Sequence, residues 1–219
     1  MPKKPTYEIN FQTYLFLRSL MREEPERFKE ELERAIARNY PVNFLPRSNE
    51  YAYSPLLMTA CEIEEYDTGD ELSLLLLEAG ADVNIIDPLQ NSALISAIRN
   101  QCSIRVIDTI FRKTTNIKQT NAMGHTALGT LCYTFIKMSM LSYDPDAVRY
   151  RSALLMLIRK LLGAGADLEI DTRWEKYNNA RKTENVSTAK SELTTFLQIY
   201  SERRRSMKNS PEDVYDYEL

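Results

Sequence analysis

His125 is the single histidine of this chain, and that inventory removes most of the reaction chemistry its other side chains could support. No His-x-x-x-His ligand pair or histidine-built zinc cluster can form, and no Cys-x-x-Cys is present to substitute. A nucleophile, histidine and acid triad would have to use His125 itself, and such sites are defined by geometry rather than by residue presence. Glu30, Glu31 and Glu33, like Glu62, Glu64 and Glu65, could be written as paired carboxylates for acid–base work. Their setting reads instead as solvated helix faces. Gly163-Ala164-Gly165 begins like a phosphate-binding loop, but Leu168 stands where the third glycine is needed and the segment follows a helix rather than a strand. Cys61, Cys102 and Cys132 are odd in number and widely spaced, which points to reduced thiols buried as small apolar side chains. The expectation is a chain with no catalytic residue, no metal site and no cofactor.

The elements that carry these residues are helices. Leu72, Leu75 and Leu76 recur at helical spacing, as do Val106, Ile107, Ile110 and Phe111, and then Leu154, Leu155, Ile158, Leu161 and Leu162. Gly80 follows the first stripe, and Gly163 and Gly165 the last, where a left-handed C-terminal cap is wanted. Phe11 to Met21 and Arg27 to Ala37 form a further pair at the front, the second opening after Pro25 and flanking acids that suit a helix N-terminus. Lys190 to Arg205 reads as a last helix. With 219 residues, 43% of them hydrophobic, one elongated domain can bury a continuous core. The 28 basic and 31 acidic residues give a net charge of −3, which offers no case for nucleic acid. Tyr14 to Leu17 is too short for a signal core and Arg18 interrupts it, and no apolar run reaches the length of a membrane span. Together with reduced thiols this predicts a cytoplasmic protein.

The helices belong to an internal repeat. Leu76-Leu77-Glu78-Ala79-Gly80-Ala81-Asp82-Val83-Asn84 returns as Leu161-Leu162-Gly163-Ala164-Gly165-Ala166-Asp167-Leu168-Glu169, and Asn39-Tyr40-Pro41-Val42-Asn43 imitates its ending. Ser54-Pro55-Leu56-Leu57-Met58-Thr59, Ser92-Ala93-Leu94-Ile95-Ser96-Ala97 and Thr126-Ala127-Leu128 mark unit openings 38 and 34 residues apart. The closing phrase keeps a spacing of 34 from Asn84 to Lys118 but 51 from there to Glu169, so about 17 residues are inserted in the third unit, near 135–152. This pattern resembles the ankyrin repeat, with its Gly-x-Thr-Pro-Leu opening and its Leu-Leu-x-x-Gly-Ala-Asp-Val-Asn close. The family's histidine after Pro-Leu is replaced by Leu57, Ile95 and Gly129, and its turn glycine by Ala52 and Gln90 in the first two units.

The resemblance implies an all-α ankyrin-repeat solenoid of stacked helix-turn-helix units over 1–205. It divides into a degenerate N-terminal cap at 1–48, matched repeats at 49–171 and a degenerate C-terminal cap at 172–205. It also implies a non-enzymatic interaction module that holds a protein or peptide partner on a concave face, as an adaptor or as a stoichiometric inhibitor of a partner enzyme. The matching hairpin and first-helix positions are Glu50, Tyr51, Tyr53, Cys61 and Glu62, then Ile86, Pro88, Leu89, Asn91, Arg99 and Asn100, then Thr120, Ala122, Met123, His125, Tyr133 and Thr134, with Arg173 and Trp174 in the last hairpin. Tyr51, Tyr53, Leu89, Met123, Tyr133 and Trp174 are of the types that anchor interfaces. Alone, the chain is expected to be monomeric.

Two segments fall outside the regular grammar. Tyr133 to Leu141 would lengthen the third unit's first helix and project from the stack, with Ser142 to Asp146 capping the next helix. Residues 206–219 carry no helical stripe, end in acids and tyrosines, and are expected to be a disordered acidic tail. That tail is similar to C-terminal export signals of effectors from intracellular bacteria, which would act in a host cytosol, and Tyr215 is similar to a tyrosine-kinase substrate.

If Gly80 supplies a left-handed cap, Gly80→Val should lower stability by about 1 kcal/mol or more through the dihedral penalty. Thermal unfolding of the variant checks this; an unchanged midpoint would count against the register.

Overall fold

The apolar stripes become nine helices among the residues that the computed structural model describes, which are 6–46, 53–139, 145–167, 171 and 184–209. In order they are α1 (Thr6–Glu23), α2 (Pro25–Ala37), α3 (Leu56–Cys61), α4 (Tyr66–Glu78), α5 (Ala93–Arg99), α6 (Ile104–Lys113), α7 (Ala127–Met138), α8 (Pro145–Gly163) and α9 (Glu184–Asn209). No strand is present among the described residues, so the chain is all-α there. Each of α1 with α2, α3 with α4, α5 with α6, and α7 with α8 forms a packed pair. The pairs touch in sequence order through both members: α1, α3, α5 and α7 make one row, α2, α4, α6 and α8 the other, and α9 closes on α7.

The first-row helices α3 and α5 have six and seven residues. Helices that short have no stability of their own in water, because nucleation costs more than so few hydrogen bonds return. They persist by burial on all sides: all six residues of α3 and the first six of α5 are buried, packed against the helices before and after. The second-row helices bury one stripe only, as Val106, Ile107 and Ile110 do in α6. One continuous apolar core results, from Tyr14 and Phe28 at the front to Leu193 and Leu197 of α9 at the back.

The chain ends four of these helices by the same device. Ala81 N–H donates to the Leu76 carbonyl and Gly80 N–H to Leu77, the double bond of a Schellman stop. Tyr40 and Asn39 close α2, Cys102 and Gln101 close α5, and Ala166 and Gly165 close α8 in the same way. The residue at the turn takes a positive φ each time: 63° at Asn39, 89° at Gly80, 60° at Gln101 and 94° at Gly165. The expected left-handed cap thus lies at Gly80 and Gly165, whereas Gly163 is the last residue of α8. The residue just after the turn is buried at all four, so each stop also anchors the chain in the core. At the other ends, the hydroxyls of Ser92, Ser103 and Thr126 accept N–H bonds from Ile95, Val106 and Gly129 and cap α5, α6 and α7.

Successive pairs are clamped by asparagine amides in the closing phrases. Asn43 donates through Nδ2 to the Gly80 carbonyl and accepts from Asp82 N–H at 2.7 Å. Asn84 repeats the pattern one unit on, donating to the Lys113 carbonyl and accepting from Thr115 N–H at 2.9 Å. Lys118, at the third equivalent position, has no such amide to offer.

The insertion behaves differently from expectation. It does lengthen α7, and the described part of the extension is buried within its own pair instead of projecting, while α8 reaches the preceding pair. Phe135 is buried, Arg151 of α8 lies over its ring at 4.8 Å, and Tyr150 donates its hydroxyl to the Cys102 carbonyl. The proposed cap residues Ser142 to Asp144 are outside the described residues; of the tail expected to be disordered at 206–219, residues 206–209 continue helix α9 instead and 210–219 lie outside the described residues.

Gly129 replaces the bulkier Leu57 and Ile95 of the equivalent positions for a steric reason. A Cβ there would stand 2.2 Å from the Asp171 carboxylate, which accepts the Thr126 N–H at the start of α7. Gly129→Ala should therefore expel Asp171 and destabilise the fold by about 1–3 kcal/mol. Urea unfolding tests it, and a variant as stable as the parent would mean that Asp171 does not occupy this place.

Candidate partner-binding surface

Two hairpin turns precede α5 and α7, and their geometry decides which side chains face outward. In the first, Asp87 N–H donates to the Asn91 carbonyl and Gln90 N–H to that of Asp87. In the second, Asn121 N–H donates to the His125 carbonyl and Gly124 N–H to that of Asn121. Gln90 and Gly124 hold the same turn position with φ of 60° and 76°, so Gln90 adopts the left-handed conformation for which the repeat pattern would supply glycine. Ala122 N–H then donates to the Leu89 carbonyl and ties one tip to the next.

Beneath the tips runs a buried polar ladder. Asn91 donates through Nδ2 to Asp87 Oδ2 at 2.8 Å, and Asn121 donates through Nδ2 to Asn91 Oδ1 at 2.9 Å. The Asn91 N–H adds a 2.7 Å bond to Asp87 Oδ1, and Asn121 Oδ1 accepts from the N–H groups of Met123 and His125. With these groups mutually satisfied, the tip residues between them are turned to solvent.

Leu89 and Met123 are 57% and 65% exposed, and Ile86 is 41% exposed. Pro88 is exposed beside them. Four of the apolar hairpin residues expected at a partner surface thus form one ridge across two joined tips. At the far ends of α5 and of the neighbouring α3, Arg99 and Glu62 are exposed, and Asn100 is half-buried with its amide nitrogen unpartnered among the described residues. His125 and Tyr133 are half-buried between these margins, and Tyr133 packs against the core.

Several expected contacts are not part of this surface. Asn91 is 1% exposed and is the central rung of the polar ladder, so it positions the tips rather than meeting a partner. Cys61 and Thr134 are likewise buried in the first-helix row. Tyr53 is half-buried and stacks edge-on with Phe11 and Tyr14 at 5.8 and 5.6 Å, with Arg18 5.9 Å from its ring centroid. It seals α1 to the next unit. In the same seam Tyr14 donates its hydroxyl to the Ser54 carbonyl at 2.6 Å, and burial pushes the Tyr14 phenol up to about 12. Glu50, Tyr51, Arg173 and Trp174 lie outside the described residues.

The ladder was within reach of the sequence, because Asp87 and Asn121 are one repeat apart and Asn91 shares the register of His125. A polar residue recurring at a turn position fits a buried link as well as an exposed contact, and only packing separates them. A second exposed apolar group, Ile9 and Phe16 on α1, follows helical spacing too, but the same spacing describes a core stripe.

Among the described residues no three His, Cys, Asp or Glu side chains converge as metal ligands, and no helix is long and apolar enough to cross a membrane. Neither a protein-family profile nor a curated protein matches the sequence.

Replacing Asn91 with alanine should leave the Asp87 carboxylate and the Asn121 amide short of partners and cost about 2 kcal/mol or more. Chemical denaturation followed by circular dichroism measures this. A loss below about 0.5 kcal/mol would return Asn91 to the exposed surface.

Proposed function

We propose that this chain is a divergent ankyrin-type repeat protein that acts as a non-enzymatic binding module, taking a protein or peptide partner against its hairpin tips and first-helix row. The observation that carries this reading is the apolar ridge of Ile86, Leu89 and Met123, held out to solvent by a satisfied ladder beneath it. Large apolar side chains at the tips of turns contribute nothing to the core, and contiguous groups of them mark interaction sites. Arg99 and Glu62 at the far margin would supply the polar rim. The paired helices, the recurring stops and the two-row contact pattern support the repeat reading.

The test is affinity capture from eukaryotic and bacterial lysates with mass spectrometry, comparing the parent with the Leu89→Ala, Met123→Ala double variant. Both side chains are more than half exposed, so the thermal midpoint should stay within about 1–2 °C of the parent. A partner that binds through the ridge should be retained about tenfold less or worse, as the loss of central anchors requires. Equal retention would move the interface elsewhere, and a collapsed midpoint would show that the tips belong to the core.

A further inference from the structure

Cys61 ends α3 and Cys102 follows α5, so two thiols 41 residues apart are brought together by the stacking of one helical pair on the next. The Cys102 thiol donates to the Cys61 carbonyl oxygen at 3.7 Å, which places it against the Cys61 residue. Cys61 Sγ is 3.6 Å from Ser73 Oγ on α4. The two cysteines are 2% and 5% exposed. Cys132, fully buried in α7, makes no such contact with either and provides an internal comparison.

We propose that Cys61 and Cys102 form a dithiol that exchanges with a small disulfide such as glutathione disulfide, closing a reversible cross-link between α3 and the end of α5. In the first step the Cys102 thiolate attacks one sulfur of the small disulfide, whose S–S bond breaks as one glutathione thiolate leaves. Cys61 then loses its proton and attacks the Cys102 sulfur of the mixed disulfide, releasing the second glutathione. Two cysteine thiols are oxidised, one disulfide is reduced, and the two thiol protons end on the two glutathiones released.

Access comes from the turn that precedes Cys102. Asn100 and Gln101 are half-buried and Gln101 holds a positive φ, so the route to Cys102 is local opening of this stop, which must break the Cys102 N–H bond to Ala97 and the Tyr150 hydroxyl bond to the Cys102 carbonyl. In the closed state the hydrogen bond with Cys61, and then burial, hold the Cys102 thiol well above its ordinary range, so the resting Cys102 is protonated and unreactive. Exchange therefore passes through the opened turn. Its rate should level off as the glutathione disulfide concentration rises, because opening becomes limiting.

The full chain, incubated under native conditions with glutathione disulfide, is quenched by alkylation and mapped by peptide mass spectrometry. The expected product is a Cys61–Cys102 linked peptide with Cys132 alkylated, a raised thermal midpoint, and reversal by dithiothreitol. Cys61→Ala should stall with glutathione on Cys102, and Cys102→Ala should remain unmodified at matched times. The mapping of the parent chain decides the matter even if a variant folds poorly. A persistent glutathione adduct on the parent, a link that includes Cys132, or reaction only in unfolding concentrations of urea would each overturn the proposal. None of these outcomes depends on the partner-binding reading.

Discussion

A helix of six or seven residues cannot hold itself together in water, and α3 and α5 are helices of that length. Their hydrogen bonds survive only because every side of each is covered, by its own pair partner and by the first-row helices before and after. Burial of that kind cannot be supplied locally. Everything else follows from this requirement: the pairs must stack in order, the reversals between them must be tight, and polar groups caught between units must find each other.

The tight reversals come from backbone chemistry. A left-handed residue after α2, α4, α5 and α8 lets two N–H groups return to the last turn of the helix and leaves the following residue in the core. Glycine does this at Gly80 and Gly165 without strain, while Asn39 and Gln101 bear the dihedral cost and are held by the surrounding contacts. The trapped polar groups come in two series, the asparagine clamps of the closing phrases and the Asp87, Asn91 and Asn121 ladder under the hairpins. Both use side chain amides or carboxylates to bridge units; the clamps do so at the surface, whereas the ladder satisfies donors and acceptors that are buried.

This arrangement separates the stability of the stack from the exposed tips. The ladder fixes the hairpins from below, so the tip side chains above it are free of any packing duty, and Leu89 and Met123 can vary without loosening the stack. The inserted segment follows the opposite logic. Phe135 and Arg151 pack on each other within the α7–α8 pair, and Tyr150 binds that pair to the chain just after α5 through the Cys102 carbonyl.

The sequence by itself determined the helices, their period and two of their four left-handed stops. Apolar residues at spacings of three and four admit only a helix, and Gly80 and Gly165 could end one because glycine alone enters the left-handed region freely. The exposed ridge was legible at Ile86, Leu89 and Met123, since large apolar residues in a turn have no local core to enter. Tertiary structure alone decided the fate of Asn91, Tyr53 and Gly129. A polar residue in a turn faces water or a buried partner according to what the next unit places beside it, and Asn121 arrives from 30 residues away. Tyr53 finds its aromatic partners on α1, and Gly129 finds the Asp171 carboxylate. Periodicity records which face of an element is apolar; what meets that face is fixed only when distant segments stack, because contacts between units leave no spacing in the sequence.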